Sequence, residues 1–206
     1  MTIFDGMSTH TKAPPRDTRS HILDIGRSLT ARHGYSGVGL SELLKAAEVP
    51  KGSFYHYFPS KEAYGCALLT DFVEQYRESL METLHNPALL ARDRFIAYFE
   101  GWLRKQTGPA LQDRCLVVKL SAEVADLSPD MSKILQSGVT GIIASLAETL
   151  RDGVTDGSIA PLPNPDALAQ SVYYQWLGAS LVAGLSQNDA PLQAAMRATQ
   201  AAVPTP

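Results

Sequence analysis

The chain has 206 residues and a mass of 22.3 kDa, which is enough for one ordinary domain or two small ones. Its composition, 45% hydrophobic and 19% charged, is that of a globular protein and excludes a disordered one. The net charge of −3 is unevenly divided. Residues 1–62 carry eight Lys and Arg against six Asp and Glu, whereas residues 63–206 carry ten against fifteen. A basic head on an acidic body is a first indication that the head meets an anionic partner.

Cysteine content and the N-terminus favour a reducing, cytoplasmic location. Two cysteines, Cys66 and Cys115, are too few for a disulfide-stapled secreted scaffold. Residues 1–16 have no apolar stretch between charged flanks, so they do not resemble a signal peptide, and they are predicted to form a disordered arm. The charge-free run 167–188 is long enough to cross a bilayer, but seven of its 22 residues are polar. We therefore expect a buried or interface helix there rather than a membrane span.

Helical periodicity dominates the chain, and no alternating run of β-branched residues indicates a strand. An all-α fold is expected. Two helix starts are especially clear, because Ser128-Pro129-Asp130 and Asn164-Pro165-Asp166 each supply a cap, a proline at the first helical position and an acid. Helices are predicted from 17 or 18 to 33, at 40–47 with Ser41 as the cap, at 52–58, from 60 to 86, and at 88–106, 112–126, 129–152, 165–187 and 190–201.

Residues 41–58 have the pattern of a helix-turn-helix, in which the second short helix enters the DNA major groove. In that helix Phe54 and Phe58 are four residues apart and are predicted to face inward. The alternative is that its aromatic residues only pack a small core, and Tyr57 fits either role equally well. The absence of acids favours DNA contact for the remaining residues, which offer hydrogen-bond donors or a close backbone approach: Lys51, Gly52, Ser53, Tyr55, His56 and Tyr57, followed by Lys61.

The stretch LSELLKAAEVPKGSFYHYFPSKEAYGCALL at residues 40–69 resembles the DNA-binding head of the TetR family of bacterial repressors. The resemblance implies a three-helix head, a connecting fourth helix and a larger helical body that senses a ligand and dimerises. We therefore expect a helix-turn-helix domain at 17–62 and a regulatory and dimerisation domain at 63–201. In that family the matching positions lie at or near operator DNA: Ser41, Lys51, Gly52, Ser53, Tyr55, His56, Tyr57 and Lys61.

The two long helices at 129–152 and 165–187 are predicted to pair with those of a second copy. A helix that is apolar on nearly all sides must be buried all round, and a four-helix bundle shared by two subunits achieves this. Small residues at 178–180, 183 and 184 would let the helices approach closely. The alternative is a core helix of a monomer.

Cys115 is predicted to begin a helix, with Arg114 beside it and Lys119 one turn further on. A helix start and neighbouring cations both lower a thiol pKa. Taken alone, a single cysteine among Leu116, Val117 and Val118 is more often inert packing. Inert packing is also the interpretation favoured for Cys66, which has no such cationic neighbours.

The segments RCLVVKLSAEVADLSPDM at 114–131 and WLGASL at 176–181 resemble the branch of the TetR family that contains the N-ethylmaleimide reductase repressor. That resemblance implies a repressor released from DNA when a cysteine matching Cys115 is modified by an electrophile or oxidant. In that branch a lysine is implicated as partner of the thiol, whereas the matching position here is Gly184 and no lysine follows Lys133. A Cys–Lys cross-link is therefore in doubt, while sulfenic acid, alkylation or an intersubunit disulfide remain open.

The thiol switch has two alternatives. A reversible effector pocket would leave Cys115 incidental, with walls predicted at Tyr98, Trp102, Tyr173 and Trp176. An enzyme is disfavoured, because the chain has no G-x-S-x-G or P-loop motif and no histidine in 86–206 to activate a cysteine. Its five histidines lack metal-ligand spacing. The expected partners are operator DNA, a second copy and a reactive effector, with no cofactor, metal or membrane, and nucleoid association when bound.

Overall fold

The computed structural model describes residues 17–108 and 116–206. The arm predicted at 1–16, and Arg114 and Cys115, lie outside the described residues. Within the described ranges the chain forms nine α-helices and no strand, which confirms the all-α prediction. The helices are α1 (Thr18–His33), α2 (Leu40–Ala46), α3 (Lys51–Tyr57), α4 (Lys61–Leu84), α5 (Ala91–Thr107), α6 (Leu116–Leu127), α7 (Pro129–Thr155), α8 (Pro165–Ser186) and α9 (Ala190–Ala202).

Side-chain caps begin four of these helices, and the caps at Ser128 and Asn164 are the ones that the sequence predicts. Asp17 accepts a hydrogen bond from the amide of Arg19, at 3.2 Å. The other three caps each accept from the amide three residues further on, which pairs a donor that the helix leaves unsatisfied. They are Ser60 at 2.9 Å, Ser128 at 3.3 Å and Asn164 at 3.0 Å.

One predicted cap and one predicted helix start are wrong. Ser41 does not cap α2, because the helix begins at Leu40 with Gly39 as a cap that makes no side-chain bond. Leu40 packs partly against the hydrophobic core, and this holds it in the helix. Helix α5 begins at residue 91 rather than 88. Its first two amides donate to Asp156 Oδ2, at 2.9 Å, and to Ser158 Oγ, at 3.1 Å, so a distant loop determines where the helix starts.

Aromatic packing attaches α3 to α4. Phe54 and Phe58 are 0% and 2% exposed, which confirms that they face inward. The ring of Tyr64 on α4 lies 5.5 Å from that of Phe54 and 5.4 Å from that of Phe58. Helix α1 passes over this cluster at Gly26, where a Cβ atom would lie only 1.7 Å from the Tyr64 hydroxyl. A glycine is needed at this crossing because no side chain fits in the space.

The body consists of α4, α5 and α7–α9 around an aromatic core, with α6 packed on α7. Helix α4 is 24 residues long and extends from the head into this core. Helix α8 is buried on one side only, since its other face exposes large apolar side chains. These are Tyr174 (52% exposed), Leu181 (54%), Val182 (50%) and Leu185 (85%).

Replacement of Gly26 with alanine should destabilise the head. The added Cβ overlaps the buried Tyr64 hydroxyl, and overpacking of this kind costs about 1–3 kcal/mol. Gly101→Ala on α5 is the matched control, because the atom nearest its new Cβ lies at an ordinary contact distance of 3.7 Å. The control should gain up to about 1 kcal/mol of helix propensity. Urea unfolding measures both, and equal stability of the two variants would contradict the packing at Gly26.

Candidate functional site

The turn between α2 and α3 has a left-handed residue that is not glycine. Glu48 has φ of 54°, a conformation that is uncommon for a residue with a side chain. The amide of Val49 donates to the Leu44 carbonyl at 3.1 Å and closes the turn, and α3 begins directly after Pro50. The turn lies at 48–50, where the helix-turn-helix pattern predicts it.

The outer face of α3 presents donors and no acid. Lys51, Gly52, Tyr55 and His56 are exposed, whereas Ser53 and Tyr57 are half-buried. Tyr57 packs partly against the core, and its contact with DNA stays a prediction. The Lys51 ammonium lies 5.8 Å from the centre of the Tyr55 ring, which is a cation–π distance. Ser41 is exposed on α2.

Lys61, the first residue of α4, is positioned by Tyr35. Its ammonium lies 5.2 Å from the centre of the Tyr35 ring. The Tyr35 hydroxyl donates to the Lys61 backbone carbonyl at 2.6 Å. Burial, together with nearby acidic groups, raises the pKa of Tyr35 to about 12, so the phenol keeps its proton at neutral pH and continues to donate.

Sequence reasoning missed Arg19 as a member of this face. Arg19 is exposed on the first turn of α1, and its guanidinium lies 5.7 Å from the centre of the Phe58 ring. The contact places a cation at the C-terminal end of α3. In the sequence Arg19 is visible only as a basic residue close to an N-cap. Its contact with Phe58 forms when α1 packs against the end of α3, so the sequence does not reveal it.

The predicted sensor residues are only partly described. Cys115 and Arg114 lie outside the described residues, and Lys119 is exposed on α6. The charge of Lys119 acts on Glu123, one turn further along the helix. Gly184 lines a cleft with Gln106 and Thr107 on the last turn of α5, and a Cβ atom on Gly184 would meet open space.

The four predicted pocket walls lie in the core. Tyr98, Trp102, Tyr173 and Trp176 are at most 7% exposed, and the rings of Tyr98, Tyr173 and Trp176 all lie within 6.1 Å of the Trp102 ring. The Trp102 indole donates to Ser180 at 3.0 Å.

A cavity of about 330 Å³ lies elsewhere, between α4 and α7. It is lined mainly by Phe72, Val73, Tyr76, Leu80 and Ile142, with Arg77 and Val117 beside them.

Cys66 is half-buried on α4. Burial raises the pKa of its thiol, and the negative charges of Asp130 and Glu62 raise it further. Because the thiolate is the reactive form, this environment suppresses thiol chemistry at neutral pH.

Residues 17–108 and 116–206 contain neither a candidate metal site nor a candidate membrane span. No three His, Cys, Asp or Glu side chains there are grouped closely enough to hold a metal ion. No helix in these ranges has the length and apolar character needed to cross a bilayer.

Comparison with known proteins identifies the family. Residues 22–63 match the tetR family of bacterial regulatory proteins, and residues 91–199 match the tetracyclin repressor-like C-terminal domain. The HTH-type transcriptional repressor NemR of Escherichia coli (strain K12) is 42% identical over 200 residues, which cover 97% of this chain and 99% of NemR. The chain belongs to the tetR family. It is a DNA-binding transcriptional repressor of the NemR type, and the families it matches are regulatory rather than catalytic.

Solved and characterised relatives extend the comparison. The crystal structure of the reduced form of E. coli NemR superposes with a TM-score of 0.88 at 43% identity, covering 93% of this tetR-family chain and 99% of that one. The transcriptional regulator AcuR of Cereibacter sphaeroides is 34% identical over 180 residues, which cover 85% of this chain and 80% of AcuR.

Cys66 should react slowly with N-ethylmaleimide at neutral pH. The variant Cys115→Ser leaves Cys66 as the single thiol, and mass spectrometry then follows its labelling directly. We expect labelling slower than that of free cysteine at pH 7, and faster as pH rises toward the raised pKa. Asp130→Asn in the same background should accelerate it by removing a negative charge. Labelling as fast as free cysteine would contradict this.

Proposed function

We propose that this tetR-family repressor binds its operator as a dimer through α3 and the start of α4, and is released when an electrophile or oxidant modifies Cys115. The observation that carries the DNA-binding half is the outer face of α3. Three exposed side chains on that helix are donors, and no residue from 51 to 58 is acidic. Lys51, Tyr55 and His56 would contact base edges or phosphates, with Lys61 and Ser41 beside them.

Dimerisation is supported by the unpartnered face of α8. Its four large apolar residues, Tyr174 to Leu185, are each at least half exposed in the single chain. Glycine at 178 and 184 leaves open space along the same helix. A second copy that packs α7 and α8 against this face would bury it in a four-helix bundle and would place two recognition helices on a two-fold symmetric operator.

The choice of Cys115 as the sensor rests on contrast with Cys66. The chain contains only these two cysteines, and the environment of Cys66 disfavours its thiolate. Cys115 has Arg114 beside it and directly precedes α6. A relative whose crystal structure is described as a reduced form supports the idea of a redox-dependent repressor.

The chemistry that follows modification should not be a Cys–Lys cross-link. Gly184 has no side-chain amine, and no lysine follows Lys133. Alkylation, sulfenic acid formation by a two-electron oxidant such as a peroxide, and an intersubunit disulfide are the products compatible with this chain.

The sensor assignment predicts a clean difference between two serine variants. Cys115→Ser should bind the DNA upstream of its own gene as tightly as the wild type, but N-ethylmaleimide should no longer release it. Cys66→Ser is the matched control and should be released normally. An electrophoretic mobility shift with and without reagent measures both variants. Normal release of Cys115→Ser would show that the sensor lies elsewhere.

The DNA-contact assignment predicts a change in salt dependence. Each phosphate contact that is lost lowers the slope of log K against log salt by about 0.9, so Lys51→Ala should lower it by about 2 in a dimer. Lys105→Ala removes the same charge from the last turn of α5 in the body and should leave the slope unchanged. Fluorescence anisotropy from about 50 to 200 mM salt covers a suitable range. Equal slopes for the two variants would remove Lys51 from the interface.

The cavity between α4 and α7 supports a second candidate, in which a reversible ligand is the effector. Its 330 Å³ volume lies in the range of small-molecule sites, and its walls are mostly apolar. Arg77 at its edge would favour a ligand with an anionic group. An effector of this kind would release Cys115→Ser as readily as the wild type, which separates the two candidates.

A further inference from the structure

A carboxylate on α6 binds directly to the head. Val117, Leu120 and Val124 are at most 5% exposed and anchor α6 in the body. The adjacent Glu123 reaches from α6 to the turn that follows α1. There the Tyr35 amide donates to Glu123 Oε2 at 3.1 Å, and the Ser36 amide donates to Oε1. The bonded residues are more than 85 positions apart in the chain, so the contact joins α6 to a distant part of the chain.

The turn is shaped to receive this carboxylate. Gly34 has φ of 76°, which a residue with a side chain rarely adopts. A Cβ atom at Gly34 would also lie 2.9 Å from Glu123 Oε2. Two consecutive amides that point the same way after such a residue form a small anion-binding concavity. Both the backbone conformation and the space therefore fit a carboxylate.

Glu123 holds its charge in this position. Burial by itself raises its pKa, but hydrogen bonds from Ser36 and Tyr35, together with the positive charge of Lys119, outweigh burial and lower the pKa overall. The group is therefore ionised at neutral pH, and its bonds to the two amides are charge-assisted, which makes them stronger than neutral ones.

The contact continues to the proposed DNA face through Tyr35. The amide of Tyr35 binds Glu123, its hydroxyl binds the Lys61 carbonyl, and its ring lies beneath the Lys61 ammonium. A second bond supports the same end of α4, because the Ser128 hydroxyl donates to Glu62 Oε1 at 2.6 Å. The place of Lys61 thus depends on a turn that Glu123 holds.

We propose that Glu123 is a positioning residue for operator binding. In the unmodified chain its carboxylate holds Tyr35, and through it Lys61, in the arrangement that binds DNA. Displacement of α6 after modification of Cys115 separates the carboxylate from the two amides and releases the head. In the sequence Cys115 comes immediately before Leu116, the first described residue of α6. The release step rests on the proposed sensor Cys115, and the holding step rests on the proposed DNA contact of Lys61.

The holding step is tested without any reagent. Glu123→Gln preserves shape but removes the charge and one acceptor, and Asp126→Asn on the same helix is the matched control because Asp126 is exposed. We expect faster hydrogen–deuterium exchange at the amides of Tyr35 and Ser36 in Glu123→Gln only. Affinity for the upstream DNA should fall by about tenfold, as for a lost charged hydrogen bond. Wild-type exchange at both amides would overturn the proposal.

A double-mutant cycle with Lys61→Ala separates positioning from general destabilisation. If Glu123 acts through Lys61, Lys61→Ala should weaken DNA binding and lower the salt slope in the wild type, but should do both less in Glu123→Gln. Gly34→Ala, which displaces the carboxylate from the other side, should show the same coupling. Equal effects of Lys61→Ala in both backgrounds would mean that Glu123 does not act through Lys61.

The release step is tested on the Cys66→Ser background, in which Cys115 is the only thiol. Complete labelling with N-ethylmaleimide, verified by mass, should accelerate exchange at Tyr35 and Ser36 to the rate seen in unlabelled Glu123→Gln. Unchanged exchange in labelled protein that has left DNA would overturn the release step and leave Cys115 as a sensor acting by another route. Labelled protein that stays on DNA would instead contradict the proposed function, while the reagent-free comparison still decides the holding step.

Discussion

The packing of Tyr64 against Phe54 and Phe58 is the contact on which the rest of the molecule depends. It attaches the recognition helix to the first turns of α4, and Gly26 lets α1 close over the same cluster. Helix α4 then continues into the body, where Leu68, Leu80 and Leu84 are at most 3% exposed. The head and the body therefore share one continuous helix, so a tilt of α4 within the body must also move α3.

Polar contacts between head and body lie beside this apolar attachment and differ from it in kind. The Arg27 guanidinium binds Asp71 at 2.6 Å, Ser128 binds Glu62, and Glu123 binds the turn after α1. Apolar contacts persist through small shifts, whereas hydrogen bonds weaken steeply with distance and angle. A displacement of about an ångström would therefore leave the apolar attachment in place while it breaks the polar ones. Because the polar contacts break first, they are suited to transmit a displacement in the body to the head.

The charges near α3 differ from those near Cys66. The outer face of α3 has no acid, and the cations of Arg19, Lys51 and Lys61 each lie over an aromatic ring that limits their freedom. Holding a cation in place lowers the entropy that it loses when it meets a phosphate. Burial of Cys66, together with the negative charges of Asp130 and Glu62 near it, disfavours its thiolate. The same electrostatic rule favours an anionic partner at the head and protects one thiol in the body.

The sequence by itself determined most of the helices, the caps at Ser128 and Asn164, and the inward pair Phe54 and Phe58. These features depend on residues within one or two turns of each other, so periodicity and capping chemistry reveal them. Tertiary structure decided the start of α5 at Asp156 and Ser158, and it placed Tyr98, Trp102, Tyr173 and Trp176 in the core. It also brought Arg19 to Phe58 and Glu123 to Tyr35. Contacts between residues far apart in the chain leave no local pattern, because the helices must first pack before such partners meet.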